Sequence, residues 1–255
     1  MNSNRSSNKN NDGHIAFRSG NPALSSKTFE NIERNNDNVM TVDGTVNKVA
    51  ISLILLLVSG YFTYTRQLLP LALVGAIGGL IVAIITMFKK QWSPITVPIY
   101  SLLQGLFLGG ISWAFNEMYD GIVLQAVLLT GSILFSLLFA YKSGLIKVTE
   151  NFKLGVVAAT GGIFIVYMIS FVMSFFGSGL PILDINNSSL MSIGFSLFVV
   201  IIASLNLVLD FDFIEQGAEM GAPKYMEWYG AFGLLVTLIW LYIEILRLLA
   251  KLRGR

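Results

Sequence analysis

Seven long stretches without a charged residue are the feature that most limits how this chain can fold. Between Lys48 and Glu244 they measure 17, 22, 26, 21, 30, 25 and 16 residues. A membrane-spanning helix needs about 20 mostly apolar residues, because the hydrocarbon core is about 30 Å thick and a helix rises about 1.5 Å per residue. Each stretch therefore predicts one transmembrane helix. The last stretch is short, but its helix can continue beyond Glu244 through LRLLAKL.

The composition agrees with burial in lipid and excludes several classes of protein. Only 13% of the 255 residues are charged and 54% are hydrophobic, whereas soluble domains carry about 25% charged residues. The absence of cysteine excludes disulfides, thiolate nucleophiles and cysteine zinc sites. The single histidine, His14, lies in a polar tail, which argues against histidine metal clusters and Ser-His triads. A net charge of +2 gives no reason to expect a nucleic-acid partner.

Two regions follow from this pattern. Residues 1–45 are rich in Asn and Ser and predict a largely disordered, polar arm. The alternative for part of this arm is a short surface helix capped by Thr28. Residues 46–255 predict an all-α, integral membrane bundle of seven transmembrane helices, because an open sheet would leave backbone groups unpaired in lipid. The approximate spans are 48–66, 67–88, 95–116, 121–141, 154–177, 188–211 and 228–250.

Basic residues predict the orientation of the bundle. The arm together with Lys48, the segments after helices two and four, and the loop before helix seven hold 12 of the 17 Lys and Arg residues. Because cytoplasmic loops carry the excess of basic residues, we expect a multi-pass plasma-membrane protein with a cytoplasmic N-terminus. The four basic residues after Glu244 disagree with seven crossings. Either the last segment is re-entrant, or the C-terminus crosses despite its charge.

Small residues recur at four-residue spacing inside three of the predicted spans. Such pairs let two helices approach closely in a membrane. The pairs are Gly75 with Gly79, Gly105 with Gly109, and Ala158 with Gly162.

Ionisable residues within the spans are the candidate functional groups. A charge at the centre of a membrane helix costs about 2.5–3.5 kcal/mol on insertion scales. Glu244 lies in the apolar run LIWLYIEILRLL, and Asp210 lies at the predicted cytoplasmic end of helix six. Asn206 is one turn before Asp210 on the same face, whereas Asp212 is expected to face headgroups or water.

Two interpretations of these acids remain open. Glu244 can form an intrahelical pair with Arg247, and Asp210 can be a helix-end acid in water. Alternatively, Asp210 and Glu244 lie together inside the bundle, share a proton, and form a pH sensor and a weak calcium site along an ion pathway. Straight helices would leave them about 12 Å apart in depth. Tilt, or an unwound GAFG segment in helix seven, would be needed to bring them together.

The run LVLDFDFIEQGAEMGAPKYMEWYGAFGLLVTLIWLYIEILRLLAKL resembles the C-terminal signature of the Bax inhibitor 1-like (transmembrane Bax-inhibitor motif) family. The segments SPITVPIYSLLQGLFLGGIS and NPALSSKTF also resemble it. The long polar arm is similar to that of a bacterial subgroup with an N-terminal extension. The resemblance covers roughly residues 20–253.

The resemblance implies a seven-helix fold with a central C-terminal helix surrounded by the other six. It also implies a pH-sensitive calcium leak gated by a carboxylate pair, which Asp210 and Glu244 of LYIE match. Gln104 stands where an acid is common in helix three, and helix two has no match for the gating arginine. Asn206, Asp212, Arg247 and Gln104 are the supporting polar residues.

Three functions are compatible with these features. The first is a calcium leak channel without a cofactor, with calcium or protons as the permeant species. The second is a regulatory membrane protein that uses the arm to bind a membrane protease or another membrane partner. The third, an intramembrane hydrolase, rests on two acids alone, and distant acids cannot act on one water. The oligomeric state is left open.

Overall fold

The computed structural model describes residues 39–255, and this part of the chain forms seven long helices with one isolated bridge between Val39 and Pro223. All seven helices are long and apolar enough to cross a membrane, which confirms the predicted helical membrane bundle. They are α1 (Val42–Arg66), α2 (Leu69–Phe88), α3 (Ser93–Met118), α4 (Ile122–Lys142), α5 (Glu150–Ser174), α6 (Leu190–Glu219) and α7 (Met226–Arg253). Single 3-10 turns precede α3 at Lys90–Trp92 and α6 at Pro181–Leu183.

The C-terminal helix α7 is the centre of the bundle, as expected. Within its most apolar 18-residue stretch, 67% of α7 is buried inside the protein. The corresponding share is 56% for α6 and 50% for α3. Helices α1, α3, α4 and α6 pack directly around it. Helix α2 packs mainly on α3, and α5 packs mainly on α6, so these two form an outer layer. The most protected side chains are therefore those of α6 and α7.

Helix α7 crosses the whole bundle without a break. Its 28 residues span about 42 Å at 1.5 Å per residue, and the GAFG segment at 230–233 is helical throughout. A re-entrant last segment is therefore wrong, and so is an unwound GAFG. The chain's last residues lie beside the α3–α4 and α5–α6 connections, because Arg253 donates to the Asp120 carbonyl and Lys251 to the Ile182 carbonyl. We call this side the C-terminal end and the opposite side the arm end.

Glycines set the contact between α1 and α3. A Cβ on Gly60 would lie 3.2 Å from the carbonyl oxygen of Gly105, and a Cβ on Gly109 would lie 2.9 Å from Thr63. Gly75 of α2 faces the α3 backbone equally closely. Two of the predicted small-residue pairs are thus packing positions. The third is not, because nothing lies within 4 Å of a Cβ built on Gly162.

The described chain begins with a short segment docked on the bundle. The Met40 amide donates to the Ala222 carbonyl at 2.6 Å, and the Met40 side chain is 1% exposed. Thr41 caps α1, whose first residue is Val42, so α1 starts earlier than the predicted span 48–66. Of the arm predicted over residues 1–45, the structure describes 39–45, which are docked on the bundle or helical. The first 38 residues and the alternative helix at Thr28 lie outside the described residues.

Candidate functional site

Glu244 is buried in the middle of a polar cluster between α5 and α7. Its side chain is 3% exposed. The Tyr167 hydroxyl of α5 donates to Oε1 at 2.7 Å, and Arg247 Nη1 lies 3.3 Å from the same oxygen. The Arg247 guanidinium also lies over the Tyr167 ring, 5.6 Å from its centroid. The predicted pair with Arg247 is confirmed, with the Glu244 carboxylate buried and the Arg247 side chain 34% exposed.

Asp210 lies within α6, not at its end. The helix continues for nine residues to Glu219, because IEQGAE extends the helical pattern past the predicted limit at 211. The side chain of Asp210 is completely buried, so the interpretation as a helix-end acid in water is wrong. Asn206, one turn earlier, is buried on the same face and donates to Thr160 Oγ1 of α5 and to the Ile202 carbonyl, both at 2.8 Å.

The helix register places Asp210 and Glu244 at different depths. Lys251 Nζ lies 2.9 Å from Ser196 Oγ, and a Cβ on Gly230 would lie 3.2 Å from Ile214 Cγ1, so both pairs are roughly level on the antiparallel helices α6 and α7. Glu244 is seven residues from Lys251 and Asp210 is 14 residues from Ser196 in the same direction, a difference of about 10 Å at 1.5 Å per residue. The geometry does not bring the two carboxylates together to share a proton or chelate one ion. It places them at two separate levels of the bundle interior.

The other supporting residues occupy different parts of the bundle. Asp212 pairs with Lys153 of α5 at 2.9 Å and accepts from Gln216 at 2.6 Å near the arm end, so it ties helices together instead of only facing headgroups. Gln104 of α3 lies against Gly79 of α2, in the outer layer. Its Oε1 is buried and has no hydrogen-bond partner within the described part of the chain. Gln104 is therefore remote from the α6–α7 acids.

Two buried ionisable residues were not singled out from the sequence. Lys251 is 1% exposed and donates to oxygens of the α5–α6 connection and of α6. Glu227 is 0% exposed and accepts from the Thr41 amide at 3.1 Å, the Thr41 hydroxyl at 2.9 Å and Lys224 at 2.7 Å. The spacing of seven residues from Glu244 signals that Lys251 shares its face. No local pattern signals the contact between Glu227 and Thr41, which lie 186 residues apart.

The separate depths of Asp210 and Glu244 limit how either carboxylate could bind a metal ion. A single carboxylate supplies only two of the six to eight oxygens that Ca²⁺ prefers, so neither acid alone completes a calcium site. Within the described residues, no group of three or more acidic, histidine or cysteine side chains forms a metal cluster.

The fold and these buried groups define the class: a multi-pass membrane protein whose ionisable residues lie inside a seven-helix bundle. A family model described as Bax inhibitor 1 like matches residues 21–254, nearly the whole chain. The chain therefore belongs to the Bax inhibitor 1-like family, as its C-terminal signature indicated. No curated protein and no solved structure matched the chain in the corresponding comparisons.

Proposed function

We propose that this protein is a pH-sensitive calcium leak of the plasma membrane, with its N-terminus in the cytoplasm and no enzymatic role. The observation that carries the proposal is the burial of two carboxylates, Asp210 and Glu244, on the two most protected helices of a membrane bundle. Intramembrane acids are costly and mark ion pathways or proton relays. Their offset of about 10 Å gives a cation two successive positions along the bundle.

The surroundings of Glu244 supply the pH dependence. Its carboxylate contacts Tyr167 of α5 and Arg247 and Trp240 of α7, and the charge of Lys251 acts on it from farther away. While Glu244 is ionised, it balances the charge of Arg247. Protonation of Glu244 leaves Arg247 and Lys251 without this counter-charge, so the level of Glu244 becomes positive and repels cations. Calcium entry is therefore expected to fall as the pH falls.

Reconstitution in liposomes loaded with a calcium dye tests this proposal. Wild-type protein, Asp210→Asn and Glu244→Gln are compared between about pH 6 and pH 8. We expect Glu244→Gln to lower influx about tenfold and to abolish its pH dependence, because it mimics the protonated state. Asp210→Asn is expected to lower influx but to retain the pH dependence, because Glu244 still titrates at its own depth.

The matched control is Glu117→Gln, which removes an exposed acid at the C-terminal end of α3 and is expected to behave as wild type. If Asp210→Asn and Glu244→Gln abolish the pH dependence equally, the two acids titrate as one unit, and the mechanism with two successive cation positions fails. If wild-type liposomes pass no more calcium than protein-free liposomes, the leak itself is refuted.

The second candidate is a regulatory protein that binds a membrane protease or another membrane partner through its arm. The docked segment favours it, because the contacts of Met40 and Thr41 join the arm directly to the α6–α7 connection. A partner that pulls on the arm would therefore act on the same helices that carry Asp210 and Glu244. The truncation experiment described in the Discussion separates this function from the leak.

A further inference from the structure

In the proposed leak, the buried ammonium group of Lys251 counts only as one of the two positive charges near Glu244. Its side chain is 1% exposed, although an isolated ammonium group is expensive to move from water into a protein interior. A lysine this close to a helix end usually extends its charge to the surface. Lys251 instead turns inward, toward the first turns of α6.

Neutral oxygens hold this ammonium group. Lys251 Nζ donates to the Ile182 carbonyl at 2.8 Å, to Ser196 Oγ at 2.9 Å and to the Ser192 carbonyl at 3.4 Å. Ile182 belongs to the 3-10 turn of the α5–α6 connection, which covers this part of α6. Among the salt bridges formed by residues 39–255, none includes Lys251. Dipoles satisfy its hydrogen bonds, and the carboxylates of Glu244 and Asp184 act on its charge only through space, without an ion pair.

The charge of Lys251 lies on the same face of α7 as Glu244, nearer the C-terminal end. The two residues are seven positions apart on α7, so they share a face and differ in depth by about 10 Å. Leu248 lies between them on the same face. A cation that moves between Glu244 and the C-terminal end along this face has to pass the Lys251 ammonium group.

We propose that Lys251 is the electrostatic barrier that limits cation passage at the C-terminal end of the pathway. This inference rests on the proposed leak and adds to it the residue that sets its rate at this end. Like charges within a low-dielectric interior repel strongly, and a divalent cation feels twice the repulsion of a monovalent one. Removing the charge of Lys251 should therefore raise calcium influx more than influx of a monovalent cation.

Ion flux in liposomes gives the first test. We expect Lys251→Met to raise calcium influx at least about tenfold and to raise potassium influx less. Ser196→Ala removes one hydrogen bond but keeps the charge, and Arg253→Gln removes an exposed charge at the same end that contacts Asp120 and Gln125. Both controls are expected to stay near the wild-type rate.

Three flux results would count against the barrier. If wild type leaks and Lys251→Met leaks at the same rate, the barrier is refuted while the leak stands. If Ser196→Ala raises influx as much as Lys251→Met, the contact to α6 matters and the charge does not. If Lys251→Met raises potassium and calcium influx equally, the substitution has loosened the bundle without selectivity for charge.

Thiol labelling gives a second test that does not need ion flux, and the chain has no cysteine to interfere with it. Leu248→Cys is made alone and together with Lys251→Met, and each is treated with a cationic and an anionic methanethiosulfonate reagent. We expect the ratio of cationic to anionic labelling rates to rise about tenfold when Lys251 is replaced. An unchanged ratio, or no labelling in either protein, would refute the barrier even if the leak itself were absent.

Discussion

At the scale of single residues, three buried ionisable side chains lie on the central helix, and each is satisfied differently. Glu227, near the arm end, accepts hydrogen bonds from the docked N-terminal segment, and Glu244 accepts one from Tyr167 of α5. Lys251 donates hydrogen bonds to backbone and hydroxyl oxygens. The sequence shows a basic residue three positions from Glu227 and from Glu244. The other partners come from the segment before α1, from α5, and from α6 with the connection before it, which only the folded chain places beside α7.

Glu227 yields a prediction at this scale. Glu227→Ala removes the acceptor of two Thr41 hydrogen bonds and of the Lys224 ion pair. Because hydrogen bonds to a buried charged group contribute about 1.5–3 kcal/mol, we expect a loss of unfolding free energy of this size. Thermal unfolding in detergent micelles measures it.

The control for this prediction is Lys224→Ala, because the Lys224 side chain is 45% exposed and exposed ion pairs contribute less than about 1 kcal/mol. A loss from Lys224→Ala as large as that from Glu227→Ala would show that the ion pair, and not the hydrogen bonds to Thr41, holds the segment.

At the scale of helices, the position of each glycine is more informative than its spacing. Gly105 and Gly162 both belong to small-residue pairs four residues apart, but only Gly105 lies against another backbone. The spacing shows that a helix can approach a neighbour closely. Whether a neighbour is present depends on the tertiary arrangement, in which α3 is inside and α5 is in the outer layer.

We therefore expect replacement by leucine to have different effects at Gly105 and at Gly162. A Cβ on Gly105 would collide with the Leu56 carbonyl and the Ser59 hydroxyl of α1, so Gly105→Leu should separate α1 from α3. Overpacking usually costs about 1–3 kcal/mol, and contact with a rigid backbone places this case at the upper end. Gly162→Leu adds a side chain to open space and should leave stability within about 0.5 kcal/mol. Equal thermal unfolding temperatures for the two variants would contradict the assigned packing.

At the scale of the whole molecule, the arm and the bundle meet at the α6–α7 connection. The bridge between Val39 and Pro223 and the Glu227 contacts fix this junction. Residues 1–38 precede it, so they can be removed without touching the described contacts. This separation makes the two candidate functions distinguishable in one experiment.

Deleting residues 1–38 should leave the calcium leak of the reconstituted protein within about twofold of wild type, because the interior acids and their partners are retained. The same deletion should abolish binding of a membrane partner through the arm. A longer deletion of residues 1–41 removes the Met40 and Thr41 contacts and should lower the unfolding temperature. If the shorter deletion abolishes the leak, the arm is part of the pathway and the assignment to the bundle interior is wrong.

The sequence by itself determined the number of membrane helices, the position of Glu244 in an apolar run and the family, because these depend on local runs of residues. It also showed that Asn206 and Asp210 share a face, since helical periodicity fixes this. The tertiary structure decided that α7 crosses unbroken, that Asp210 and Glu244 stay at different depths, and that Lys251 and Glu227 are buried. These outcomes depend on helix register and on contacts between distant segments, which periodicity within one helix does not encode.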